Sequence, residues 1–188
     1  MKRLAIFLYD GFEDTEAIGT IDVIRRGAKL FPESVIGIDV VSIQNKDVVT
    51  GAWNNKVIVD KHLSNINYED YDGLILPGGP AVNELLKNNT VESGFKTAYG
   101  ENKLIAAICA APQLLGMWGM LDGKKVVNYP GANQYLDKAI LQNRSGSITD
   151  KNIITGSSIG GTLEFGLSIV EYFVGNEKIS ELKKLLFI

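Results

Sequence analysis

The 188-residue chain holds one cysteine and one histidine. A single thiol excludes a disulfide within the chain and suits a reducing compartment. Cys109 and His62 lie far apart in the sequence and do not form a zinc-ligand pattern, so no metal is expected. Basic runs are also missing. With 19 Lys and Arg against 22 Asp and Glu the net charge is −3, which argues against a nucleic-acid partner. No apolar run approaches the roughly 20 residues that a bilayer requires, so no membrane association is expected. The apolar stretch after Lys2-Arg3 is too short for a secretory leader. Asp10, Glu13 and Asp14 follow it where a small-residue cleavage site would stand, so the expected location is cytoplasmic. There is no Gly-x-x-x-x-Gly-Lys-Ser/Thr loop. Gly156-Ser-Ser-Ile-Gly160-Gly161 has the wrong spacing for a dinucleotide fingerprint and falls in the last unit, so no cofactor is expected. Repeats, low-complexity tracts and linkers are absent, which leaves one domain over residues 1–188.

What is present is an alternation of buried strands and amphipathic helices. Leu4–Tyr9 reads as a first strand. A helix follows with Ala17, Ile18, Ile21, Ile24 and Ala28 on one face, capped by Asp14 or Thr15 and stopped near Gly27. Val35–Ile43 is a second strand. Gly51–Val59 reads as an edge hairpin turning at Asn54-Asn55, and His62–Asp70 as a polar connection. Gly73–Leu76 is a buried strand running into Pro77-Gly78-Gly79-Pro80, with helical stretches at 81–87 and 91–102 beyond it. Leu104–Ile108 is another buried strand, and its helix ends near Gly119. Lys125–Asn128 is a short strand, 133–141 reads as helical, and 148–155 contains the last strand. Helices over 162–174 and 179–186 close the chain. This order predicts a parallel sheet covered on both faces by helices.

Open α/β sheets carry their sites at the carboxyl ends of strands, and three such ends are chemically unusual here. Cys109 ends the 104–108 strand. Ala110 and Ala111 permit a sharp turn, and Pro112 suits the first turn of a helix whose dipole would favour thiolate. The bland alternative is an inert buried thiol. Gly78-Gly79 can free backbone N–H groups to face an anion or an oxyanion, or can simply make a tight turn. Glu13, Asp14 and Glu16 crowd the start of the first helix. Most such carboxylates serve only the helix dipole, and Glu16 is special only if it points at another site. His62 reads as a solvated loop residue, and Tyr9, Phe12, Trp53 and Trp118 as packing residues.

Together these segments are identifiable. Gly11-Phe-Glu-Asp-Thr-Glu16, Asp22-Val-Ile-Arg-Arg26, Tyr71-Asp-Gly-Leu-Ile-Leu-Pro-Gly-Gly79, Leu104-Ile-Ala-Ala-Ile-Cys-Ala-Ala-Pro112 and Thr162-Leu-Glu-Phe-Gly-Leu-Ser-Ile-Val-Glu171 occur in order across nearly the whole chain. The sequence resembles the ThiJ/PfpI superfamily, in the branch of the parkinsonism-associated deglycase. The resemblance implies a flavodoxin-like, three-layer α/β sandwich with a mostly parallel sheet, and a homodimer. It implies Cys109 on a nucleophile elbow and a protonated Glu16 bonded to the thiolate or its sulfinate. Oxyanion donors would come from Gly79 and from Ala110, the residue after the cysteine. Two positions depart from the family pattern. Tyr129, in Asn128-Tyr129-Pro130, stands where many members carry a histidine. Ala111 stands where glycine is common.

Three functions compete. The first is a cofactor-free thiol enzyme acting on small reactive carbonyls, glyoxalase- or deglycase-like, with Cys109 as nucleophile and Glu16 as proton shuttle. The second is a redox sensor of oxidative stress in which an oxidant converts Cys109 to sulfinate. The third, a peptidase or amidase, is disfavoured because Tyr129 replaces the histidine base.

Overall fold

Leu4–Leu8 is a wholly buried apolar run, as a strand requires when both faces of its sheet are covered. The computed structural model describes residues 2–188 and places this strand, β1 (Lys2–Leu8), inside a seven-stranded sheet. In chain order there follow α1 (Asp14–Leu30), β2 (Val35–Ser42), β3 (Val48–Thr50), β4 (Lys56–Ile58), β5 (Lys61–His62), β6 (Gly73–Leu76), α2 (Asn89–Gly100), β7 (Leu104–Ile108) and α3 (Pro112–Met117). Then come β8 (Lys125–Val126), β9 (Ile140–Leu141), β10 (Ser147–Asp150), β11 (Ile153–Gly156), α4 (Thr162–Val174) and α5 (Asn176–Leu186). The main sheet runs β10-β11-β7-β6-β1-β2-β5, parallel throughout except for the β10–β11 pair. Helices flank a mostly parallel sheet, as in flavodoxin-like α/β sandwiches.

The strand order fixes where a site can form. From β1 the chain moves outward through β2 and β5, then returns to the other side of β1 and continues through β6, β7 and β11. The loops leaving β1 and β6 therefore part company at a topological switch point, and the resulting crevice lies beside the end of β7. One face is covered by α1, α4 and α5. The two long helices touch through glycine: a methyl on Gly27 or on Gly166 would come within 2.9 Å of Val170 or Val23 respectively. On the face that carries α2, Phe7, Phe95 and Trp118 form a chain of rings with centroids 5.3 and 5.6 Å apart.

Several local expectations change. The first helix runs through Gly27 to Leu30, with Ala17, Thr20, Ile21, Val23 and Ile24 inward and Ile18 exposed. Neither Asp14 nor Thr15 caps it. Glu13 holds the cap position without a side-chain bond, and Asp14 binds elsewhere. The hairpin forms as a separate two-stranded sheet, β3–β4, and not as an edge of the main one. The 148–155 segment is two antiparallel strands, β10 and β11, turning at Lys151. The 82–87 stretch is a 3₁₀ helix. The helix expected over 133–141 does not form. Only Leu136 is fully buried there and Tyr135 takes a left-handed conformation, so no apolar face holds a helix down. The segment ends instead in β9, paired with β8. The 62–70 connection carries β5 and two 3₁₀ turns, and His62 bonds Asp47 at 2.9 Å. No described helix is long and apolar enough to cross a membrane.

Candidate active site

Cys109 follows β7 directly and adopts a left-handed backbone conformation, φ 65°. That costs a non-glycine residue about 1 kcal/mol or more, and both of its peptide groups are tied down. Its N–H donates to Gly156 O at 2.9 Å, and its carbonyl accepts the Tyr129 N–H at 2.8 Å. The turn forces the half-buried thiol out of the strand and toward the loops of β1 and β6. The Ala110 N–H, next in the chain, favours the thiolate form of the sulfur.

The four acidic residues after β1 divide their work, and Glu13 accepts the Trp53 indole N–H at 3.3 Å. Asp10 pairs with Lys46 and accepts the Thr50 N–H. Asp14 accepts the backbone N–H groups of Trp53 and Asn55 at 3.0 and 3.2 Å, and the Asn55 side-chain amide at 2.6 Å. Asp10 thereby straps the β3–β4 hairpin to the loop after β1, and Asp14 straps it to the start of α1. Glu16 alone turns inward and is fully buried. Its Oε2 accepts the Gly78 N–H at 2.9 Å. Its Oε1 meets no partner of hydrogen-bond geometry among the described residues, with the Cys109 thiol beside the carboxyl.

Gly78 brings the three loops together. A Cβ at that position would lie 2.7 Å from Cys109 Cβ, 2.8 Å from Glu16 Oε2 and 3.0 Å from Ile108 O. Gly79 is the expected oxyanion donor, and Gly78 is already committed to Glu16. The Gly79 N–H has no partner among the described residues. The doubled glycine was the available signal: one residue for close approach, one for a left-handed turn, here φ 124° at Gly79. Tyr9, read as a packing residue, is buried, but its hydroxyl also bonds Pro77 O at 3.0 Å and Gly78 O at 2.7 Å.

Burial pushes the Glu16 carboxyl from 4.5 up to about 7, although the adjacent thiol and the bond from the Gly78 N–H pull against it. Burial also pushes the Cys109 thiol well above its ordinary value, and the Glu16 charge pushes it further. The expected depression by a helix dipole is not found. The helix after the cysteine, α3, has only six residues, too short a dipole to outweigh desolvation. The two groups therefore act as one pair that sheds its first proton near neutrality. Tyr9 is likewise raised by burial and by the nearby Glu16 and Cys109 charges, so it stays a hydrogen-bond donor.

Next to this site, across the turn 128–131, lies a cavity of about 560 Å³ bounded by Asn128, Pro130, Gln142, Arg144, Ser157 and Ser158. Cys109 does not line it. Tyr129 is 51% exposed. Among the described residues no group of three or more His, Cys, Asp or Glu side chains is placed to hold a metal ion.

Residues 2–172 match the model of the DJ-1/PfpI family. The chain belongs to this family. DJ-1 homolog A of Arabidopsis thaliana is 33% identical over all of the chain, although the chain spans only 47% of that relative. The glutathione-independent glyoxalase DJR-1.2 of Caenorhabditis elegans is 30% identical over 93% of this chain and 89% of its own length. The crystal structure of Drosophila melanogaster DJ-1beta superposes with a TM-score of 0.90 at 28% identity, covering 100% of this chain and 98% of the other. This DJ-1/PfpI member pairs Cys109 with Glu16 and carries tyrosine at position 129.

Proposed function

We propose that the protein is a cofactor-free glyoxalase- or deglycase-type enzyme acting on small α-oxoaldehydes. The observation that supports this reading most is the Cys109–Glu16 pair, which holds an acid near neutrality against a thiol and has unpartnered or sulfur-directed N–H groups at Gly79 and Ala110. The name of the nematode relative points to the same chemistry.

With methylglyoxal as substrate, Cys109 Sγ adds to the aldehyde carbon and the thiol proton passes to Glu16. The Gly79 and Ala110 N–H groups take the charge on oxygen. Glu16 hands the thiol proton on to the substrate oxygens, where it ends as the alcohol proton, and as a carboxylate again it carries the aldehyde C–H proton to the neighbouring carbonyl carbon, giving a thioester and a new alcohol. Water hydrolyses the thioester to lactate and frees the thiol. The aldehyde is oxidised as the ketone is reduced, so no external electron carrier is needed. Methylglyoxal loss and lactate formation, followed together, test the proposal. The wild type should produce lactate, and Cys109→Ala should reduce the rate to background. Equal rates in the two proteins would refute it.

Position 129 offers a graded test. The Tyr129 N–H bonds the Cys109 carbonyl, which puts the residue next to the reacting atoms. Tyr129→His should raise turnover about tenfold by supplying a second proton carrier. An unchanged rate would place that side chain out of reach of the substrate.

A further inference from the structure

Tyr9 belongs to β1's exit, is 1% exposed, and reaches the β6 loop. Its hydroxyl contacts two successive carbonyls, Pro77 O at 3.0 Å and Gly78 O at 2.7 Å, and the Glu13 N–H also holds Gly78 O, at 2.9 Å. In a trans peptide the carbonyl and the N–H point in opposite directions, and the described residues contain no cis peptide. Holding Pro77 O on the Tyr9 side therefore turns the Gly78 N–H the other way, where it meets Glu16 Oε2 at 2.9 Å. Holding Gly78 O on the same side likewise turns the Gly79 N–H away from Tyr9 and leaves it without a partner among the described residues. Gly78 itself lies against Cys109 Cβ and Glu16 Oε2.

We infer that Tyr9 is a positioning residue for the site: its hydroxyl sets the orientation of two consecutive peptide planes, so that one N–H steadies the Glu16 carboxylate and the next faces the reacting oxygen. The inference deepens the proposed function, since the second N–H matters only if an oxyanion forms. The first half stands on the thiol–acid pair alone. The titratable groups around that pair are Glu13 ahead of α1, Glu16 on α1, Cys109 after β7 and Tyr9 itself.

Tyr9→Phe keeps the buried ring and removes the hydroxyl. The rate of Cys109 alkylation by iodoacetamide, a displacement that forms no oxyanion, reports the pair's first deprotonation. Without Tyr9 the Gly78 N–H no longer steadies the Glu16 carboxylate, so the alkylation midpoint should move to higher pH by about half a unit or more. With methylglyoxal, kcat should fall about tenfold while KM changes little, because the Gly79 donor acts mainly on the transition state. An unshifted alkylation midpoint in folded Tyr9→Phe overturns the inference. If the wild type turns over no carbonyl, the proposed function fails, and the alkylation midpoint still decides the role of Tyr9.

Should Tyr9→Phe fail to fold, glycine-selective ¹⁵N NMR of the unaltered protein tests the geometry. The Gly78 amide should titrate with the pair near pH 7, and the Gly79 amide should shift when Cys109 is alkylated. A Gly79 amide that ignores alkylation does not face the thiol and overturns the inference.

Discussion

Glu16→Gln should abolish carbonyl turnover and at the same time stabilise the fold above neutral pH. Glu16 is fully buried and its carboxyl is raised from 4.5 to about 7. Above pH 4.5 the unfolded chain gives up this proton, while the folded chain keeps it until about pH 7. The unfolded state therefore binds fewer protons across that window, and stability falls as pH rises through it. The full loss is on the order of 3 kcal/mol above pH 7. Glutamine has no charge to bury, so denaturation of Glu16→Gln at pH 8 should show a gain of up to that size, vanishing near pH 4. The thiol behaves in the opposite way. In the wild type, alkylation should rise through pH 7 and level off, since ionised Glu16 can then take the thiol proton as the sulfur attacks. In the variant the pH 7 step should disappear, and the rate at pH 7.5 should drop at least about tenfold. A variant that turns over carbonyl at the wild-type rate would refute the assigned role, and a variant no more stable at pH 8 would refute the buried charge.

Gly78→Ala should be the most damaging single-methyl change in the site. The added carbon meets Cys109 Cβ, Glu16 Oε2 and Ile108 O at 2.7, 2.8 and 3.0 Å, all inside van der Waals contact. Two of the three neighbours belong to rigid elements: Ile108 ends β7, and Cys109 is tied at both its N–H and its carbonyl. The loop must give way, costing about 1–3 kcal/mol, and the acid must part from the thiol. Turnover should fall about a hundredfold or more, because displacements near 1 Å are expensive in positioned catalysis. Chemical denaturation and the alkylation profile measure the two effects. A folded Gly78→Ala protein with the wild-type profile would show that the three loops do not converge at this glycine.

Much of this arrangement was legible in the residues. The apolar runs at 4–8, 73–76 and 104–108 mark the central strands because covered parallel strands are buried on both faces. The motifs around Glu16, Gly79 and Cys109 mark the strand ends that converge. Three things were not legible. The failed helix at 133–141 has residues that tolerate helix but no partner surface, and only tertiary packing reveals that. The raised thiol depends on burial and on the short length of α3, neither of which the spacing of Ala110, Ala111 and Pro112 encodes. The work of Tyr9 depends on two carbonyls nearly seventy residues away in the chain. Among Asp10, Asp14 and Glu16, local sequence offers three similar acids, and only the position of the β3–β4 hairpin separates the two that bind it from the one that does not.

That hairpin is tied to the same end of α1 that carries Glu16. Asp14 joins the Trp53 and Asn55 amides to the first turn of α1, and backbone bonds from Gly11 to Thr50 and from Ala52 to Phe12 close the same seam. A local opening that frees the hairpin breaks these bonds as a group and admits water to the first turn of α1. Glu16 then regains solvent, its proton leaves at ordinary acidity, and the thiol loses its partner. A shut hairpin is thus a structural condition for the paired acid and thiol, held by the same few bonds that start α1.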